Sequence, residues 1–154
     1  MAVHIVTVSD TRTLETDSSG RLISTLLEER GHRVSGRTLL KDEPGDVRQT
    51  VTALVHDSSV DVVITTGGTG ITARDSTFEA IDGLLQKRLA GFGELFRMLS
   101  YHEIGAAAML SRATAGLAGR TVILALPGSE HAVRLAMEKL VLPELGHLVR
   151  EARR

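Results

Sequence analysis

The apolar run Val60 to Ile64 passes directly into Thr65-Thr66-Gly67-Gly68-Thr69-Gly70-Ile71-Thr72-Ala73-Arg74-Asp75, after which apolar residues recur at Phe78, Ile81 and Leu85. The run has the length and β-branched content of a buried strand, and the later spacing is helical. A glycine loop therefore joins a strand to a helix, predicted from Ser76 to about Arg88. Glycines at 67, 68 and 70 allow positive φ and close approach of the backbone to a ligand. The helix start adds unpaired N–H groups and a partial positive charge of roughly half an electron. An anion, above all a phosphate, suits such a place. The alternative is a tight turn in which Ser76 and Glu79 form a capping box. That box asks for neither the glycines nor Arg74 and Asp75 beside it.

The same alternation runs through most of the chain. Ala2 to Val8 reads as a strand, and Asp17 or Ser18 caps a helix with Leu22, Ile23, Leu26 and Leu27 on its apolar face, ended by Gly31. Val34 to Leu40 is a weaker strand, and Pro44-Gly45-Asp46 opens a helix carrying Val47, Val51, Leu54 and Val55. The strand Val60 to Thr65 follows. Successive βα units imply a mostly parallel sheet with helices on both faces, a three-layer α/β/α sandwich. Gly91 to Ser100 and Ile104 to Leu110 look helical. Ser111 to Leu117 and Arg120 to Leu126, separated by Ala118-Gly119, read as a hairpin that adds antiparallel pairing at one edge. Pro127-Gly128-Ser129 turns into a last helix through Val133, Met137, Leu140 and Val141, which Pro143 should interrupt before a polar tail.

At 154 residues the chain fits one domain, residues 1–154, on the usual scale of about 100 to 200 residues per domain. It has no cysteine, which removes disulfides, thiolate metal sites and thiol nucleophiles and suits a reducing compartment. Eighteen basic residues face nineteen acidic ones, with one Tyr and three Phe, so a nucleic-acid surface is not expected. The N-terminus enters Val3 to Val8 without a basic leader, and no apolar stretch reaches the roughly 18 residues of a membrane span. These features predict a soluble, cytoplasmic protein without nucleic-acid or membrane partners.

In open α/β sheets ligands gather outside the carboxyl ends of the parallel strands. Ser9-Asp10, Asp42-Glu43, Gly67 to Asp75 and Pro127-Gly128-Ser129 should meet there. Two carboxylates beside a phosphate loop repel each other and the ligand unless a hard cation lies between them, and Mg²⁺ is the usual one where substrate phosphates share its shell. Asp42 and Asp75 form that pair. Taken singly, Asp42 is an ordinary loop acid and Asp75 a helix-dipole partner. Gly68 to Ala73 formally satisfies G-x-G-x-x-A, but no strand ending in an acid follows about 20 residues on, which argues against a nicotinamide site. No Gly-Lys-Ser/Thr follows the glycines, so the P-loop pattern fails. The six histidines share no i, i+3 or i+4 spacing, and no Gly-x-Ser-x-Gly elbow exists.

Together, Thr66-Gly67-Gly68-Thr69-Gly70, Arg74-Asp75, Glu79-Ala80, Gly91-Phe92-Gly93-Glu94, Ser111-Arg112 and Leu126-Pro127-Gly128-Ser129 resemble the molybdopterin-binding domain family, which includes molybdopterin adenylyltransferase and the gephyrin G domain. Ser9-Asp10-Thr11-Arg12 and Phe96 to Ser100 add to the likeness, which covers nearly the whole chain. The resemblance implies a site for molybdopterin, a trimer or hexamer, and, in active members, transfer of AMP from Mg²⁺-ATP to the molybdopterin phosphate. It further implies that Asp42 and Asp75 are the functional, metal-holding aspartates. Ser9, Ser100 and Ser111 match the family's binding serines, and Thr66 to Gly70, Glu94 and Pro127 to Ser129 complete the expected binding set. Arg74 or Arg112 would offset developing negative charge. Three readings stay open: the adenylyltransferase, a non-catalytic molybdopterin carrier or scaffold working with other enzymes of the pathway, and an unrelated nucleotide or phosphoribosyl binder using the same loop. The apolar, glycine-interrupted stretch Leu89 to Leu110 carries more large side chains than one helix face can bury, so some should lie between subunits.

Overall fold

Strand runs of β-branched residues alternate with amphipathic helices, and the chain folds accordingly. In a computed structural model describing residues 1–154, β1 (Ala2–Val8), β2 (Arg33–Leu40), β3 (Val62–Thr66), β4 (Lys87–Arg88), β5 (Thr114–Ala118) and β6 (Thr121–Leu126) form one sheet. Its order is β2-β1-β3-β6-β5-β4. The first four strands in that order are parallel, whereas β5 pairs antiparallel with β6 and β4 with β5. The helices are α1 (Ser18–Glu29), α2 (Pro44–His56), α3 (Thr77–Asp82), α4 (Ala90–Ile104), α5 (Glu130–Ala136) and α6 (Leu142–Ala152).

The period-2 alternation of the strands divides the core in two. Val3, Ile5, Val62, Ile64, Val122 and Leu124 pack with Ile23 and Leu27 of α1, Phe96 of α4, Val133 of α5 and Leu145 and Val149 of α6. On the opposite face Val6, Val8, Val63, Ile123 and Ala125 pack with Val47 and Val51 of α2 and Ala80 and Ile81 of α3. These are the two outer layers of the expected sandwich. No helix is long and apolar enough to cross a membrane.

Three local expectations are corrected. The helix predicted to reach Arg88 stops at Asp82, because Gly83 follows and Gln86 and Leu89 donate their N–H groups to Leu117 and Ala115 of β5. Lys87–Arg88 thereby becomes the edge strand β4, and the hairpin strand β5 lies one place in from the edge. Leu85 still reaches the core, from a turn rather than a helix. Nor does Pro143 interrupt the last helix. A π segment, Met137–Val141, precedes α6, with Leu142 N–H donating to Met137 O, and Pro143 falls in the first turn of α6. A wider turn at that point relieves the clash a proline ring makes with the carbonyl four residues back. The expected polar tail is consequently an amphipathic helix with Leu142, Leu145 and Val149 buried.

Candidate functional site

The site starts with how β3 ends. Gly67 and Gly68 have φ of +100° and +71°, which L side chains rarely adopt. Space is equally decisive. A Cβ on Gly67 would sit 2.1 Å from the Val8 carbonyl oxygen, and one on Gly68 would sit 2.1 Å from Thr77 Oγ1 and 2.8 Å from Asp42 Oδ2. Gly70 has no left-handed φ; what excludes a side chain there is Asp75 Oδ2, 2.7 Å from a Cβ position. The glycines therefore first let the backbone approach other parts of the protein. What this leaves toward the cleft is a run of backbone donors. Gly67 N–H donates to Leu126 O, but the N–H groups of Gly68, Thr69 and Gly70 meet no acceptor in the chain.

The start of α3 differs from expectation. Asp42 accepts hydrogen bonds from Ser76 N–H and the Ser76 hydroxyl, and Thr77 N–H donates to Gly68 O. Ser76 makes no side-chain cap bond, so the capping box is not formed, and the amides of Ser76 and Thr77 are already committed. The unpaired donors that line the cleft belong to the loop itself.

Asp42 and Asp75 flank that loop. Asp42 is buried, with Oδ1 engaged by Ser76 and Oδ2 free of protein donors beside Gly68. Asp75 accepts from Thr72 N–H and Thr72 Oγ1 at 2.9 and 2.7 Å through Oδ2, leaving Oδ1 free. The chain holds no group of three or more His, Cys, Asp or Glu able to enclose a metal. One free oxygen on each carboxylate nevertheless fits a hard cation that takes most of its ligands from substrate phosphates and water. Thr77 Oγ1, fully buried next to Gly68 and bonded to no atom of the chain, is a further oxygen at that corner.

A cleft of about 600 Å³ opens over the carboxyl ends of β1, β3 and β6. Ser9, Thr66, Gly67, Gly68, Thr69, Gly70, Asp75, Ser111, Pro127, Gly128 and Ser129 all line it. Asp42 lies behind Gly68 rather than in the lining. Glu94 lines a neighbouring cleft of about 390 Å³, which shares Ser111, and Ser100 is buried on α4 and lines neither. Thr66 Oγ1 donates to Pro127 O at 2.8 Å, and Ser129 caps α5 by accepting from Ala132 N–H, so these two hydroxyls fix the walls.

The two arginines singled out in the sequence are otherwise engaged. Arg74 forks onto Asp10 and reaches Glu43, which holds the Asp10 carboxyl below its ordinary range. Arg112 binds Glu79, lowering that carboxyl likewise, and lies over the Phe78 ring. It also donates to Gly70 O at 2.9 Å and Asp75 O at 3.3 Å, while its own N–H donates to Thr69 O. Arg112 is thus a brace for the loop. Missed in the sequence were the place of Arg12 in the cleft lining and the full burial of Asp17 next to it. Burial alone would raise the Asp17 carboxyl, but hydrogen bonds from Thr7 Oγ1, Gly20 N–H and Arg37 outweigh it and hold the group below the usual range. Arg12 stood in the sequence only within the Ser9-Asp10-Thr11-Arg12 run, whereas Asp17 was expected as a cap of the first helix and is one, accepting from Gly20 N–H.

A mostly parallel sheet with a glycine-loop cleft at its carboxyl edge defines the class, and comparison with known proteins defines the family. A family model described as a probable molybdopterin binding domain matches residues 4–147. Molybdenum cofactor biosynthesis protein B of Bacillus cereus is 58% identical over 151 residues, covering 97% of this chain and 89% of that protein. A crystal structure of a molybdenum cofactor biosynthesis protein B superposes with a TM-score of 0.96 at 56% identity, over 99% of this chain and 96% of that one. The tungsten cofactor synthesizing protein MoaB from Pyrococcus furiosus gives 0.89 at 38% identity, over 99% and 97%. The chain belongs to the molybdenum cofactor biosynthesis family built on this molybdopterin-binding domain.

Proposed function

We propose that this protein binds molybdopterin and adenylates its phosphate with Mg²⁺-ATP. The observation that carries the reading is the run of unpaired N–H groups at Gly68, Thr69 and Gly70, set between free carboxylate oxygens of Asp42 and Asp75. Unpaired amides in a cleft favour an oxyanion, and two carboxylates flanking the same loop favour a cation carrying phosphates. In the reaction an oxygen of the molybdopterin phosphate attacks the α-phosphorus of ATP, the bond to the β-phosphate oxygen breaks, and pyrophosphate leaves.

The chain's contribution is positioning and charge placement. The loop amides hold the molybdopterin phosphate, and Arg112 keeps those amides aligned by donating to the carbonyls of Thr69, Gly70 and Asp75. Ser9, Ser111 and Ser129 supply hydroxyls to the pterin or the nucleotide along the cleft. Asp42 and Asp75 would hold Mg²⁺, whose chemistry is to neutralise charge on the transferring and leaving phosphates. Ser100 and Glu94 bind only if a second subunit or a ligand extending past Ser111 brings them into reach. We place the work in the cytoplasm, in a homotrimer or homohexamer, beside the enzymes that make molybdopterin and insert metal. Leu95, Met98, Tyr101, Ile104 and Met109, exposed along α4 and the turn after it, are the surface such an assembly would bury.

Pyrophosphate release measured with ATP and molybdopterin, each omitted in turn, tests the reading. Release that requires both supports the transferase. Tight molybdopterin binding without release assigns the chain a carrier role instead, and no binding removes both.

A further inference from the structure

Only two charged side chains line the cleft, Asp75 and Arg12. Arg12 is therefore the one cation of the lining, and without it Asp75, with Asp42 behind Gly68, would present only negative charge to an anion. Arg12 is also the least committed cation near it. Its Nη1 donates to Ser19 Oγ at 3.2 Å and Ser18 Oγ at 3.4 Å and stands 4.0 Å from Asp17 Oδ1. Nε and Nη2 meet no acceptor in the chain, and about a third of the side chain is exposed.

Arg12 is not needed to neutralise Asp17. Arg37 makes that contact at 2.9 Å, and Thr7 and Gly20 supply further donors. The hydroxyls around Arg12 instead aim it. Ser9 Oγ accepts its backbone N–H at 3.1 Å, and Ser19 Oγ donates at 2.7 Å to Gly128 O on the opposite wall. A guanidinium held at one nitrogen, with the rest of its fork free in a polar cleft, is arranged for two-point contact with phosphate oxygens.

Resting on the cleft being a phosphate site, we infer that Arg12 is a ligand-binding residue that makes this site selective for the dianion of a phosphate monoester. The loop amides supply dipoles without net charge, and they bind a monoanion or a dianion with modest discrimination. Arg12 supplies the full charge that offsets Asp75, and the second negative charge of the ligand is what it recognises. Affinity should therefore follow the ligand's second ionisation, near pH 6.

The test is a ³¹P NMR titration of the folded protein with methyl phosphate from about pH 5 to about pH 8, spanning that ionisation. Wild type should bind more tightly as pH rises. Arg12→Gln should bind roughly 10-fold or more weakly, the scale of one lost charge-assisted pair, with the pH dependence flattened and the melting temperature preserved. Arg12→Lys should regain the pH dependence but not the full affinity, because a point charge replaces a fork. In the unmutated protein the Arg12 Nε–H resonance should move on titration. A still resonance, or an Arg12→Gln protein that follows the wild-type affinity and pH profile, overturns the assignment and leaves the cleft as an amide-only phosphate site. Wild type that binds no methyl phosphate at any pH overturns both.

Discussion

A single added methyl group should have opposite consequences at Gly68 and Gly70, although the two belong to one loop. At Gly68 an alanine must hold φ near +71° with its Cβ 2.1 Å from Thr77 Oγ1 and 2.8 Å from Asp42 Oδ2. The left-handed conformation costs about 1–2 kcal/mol in a residue with a Cβ. Overpacking against the fully buried Thr77 adds about 1–3 kcal/mol. A loss of about 2–5 kcal/mol follows, which in a domain of this size lowers the melting temperature by roughly 4 to 20 °C. At Gly70 the φ is not left-handed and the three nearest atoms all belong to the Asp75 carboxylate. That carboxylate can swing aside, loosening its Thr72 contacts at about 1 kcal/mol. The same swing moves an oxygen proposed to hold the metal by roughly an ångström, a displacement that can reduce turnover about 100-fold. Thermal unfolding and adenylylation rate, measured on both variants, separate the cases. Gly68→Ala should be the unstable one, and Gly70→Ala the stable but inactive one. Equal stabilities, or full activity in Gly70→Ala, would refute this account of why the loop is glycine-rich.

Asp75→Asn keeps an acceptor for Thr72 while removing the charge proposed to hold Mg²⁺, so molybdopterin binding should survive and adenylylation should fall on the order of 100-fold or more; parent-level turnover would return Asp75 to the role of loop brace. Asp17→Asn should destabilise the fold by about 1–3 kcal/mol at neutral pH, because Arg37 loses its charged acceptor. With the Asp17 carboxyl depressed in the folded state, its contribution is complete above an unfolded value near pH 4 and disappears as pH falls through the lower folded value, so the gap between wild type and variant in urea melts should close below about pH 4. Light scattering should return a multiple of 16.5 kDa, and a monomer at working concentration would contradict burial of the α4 surface.

Periodicity carried most of the fold in the sequence. Val3 to Val8 and Val60 to Ile64 alternate between two buried faces, and the helix that follows each shows where a face continues. It failed at Leu85, whose helical spacing from Ile81 is met from a turn, because a two-residue edge strand such as Lys87–Arg88 leaves no periodic trace and is fixed by pairing with β5. Pro143 misled for a related reason: a π turn is a tertiary accommodation with no local signature. In the site, glycine spacing marked the loop, but that Gly67 yields to Val8 and Gly68 to Thr77 depends on distant chain segments meeting. Arg112 shows the limit most plainly. A cation near a phosphate loop reads as a charge-neutralising residue, whereas its fork is spent on Glu79, Gly70 O and Asp75 O. Arg12 surfaced only once β1, β3 and β6 were set side by side.

The claim on which the rest depends is that the amides of Gly68, Thr69 and Gly70 receive the molybdopterin phosphate. Amide ¹H–¹⁵N spectra recorded during titration with molybdopterin address it directly, since a hydrogen bond to a phosphate oxygen moves an amide proton strongly downfield. The account predicts that these three resonances shift together and saturate at one affinity, while Gly67 N–H, already bonded to Leu126 O, moves least within the loop. Molybdopterin that binds while the three amides stay in place would contradict it.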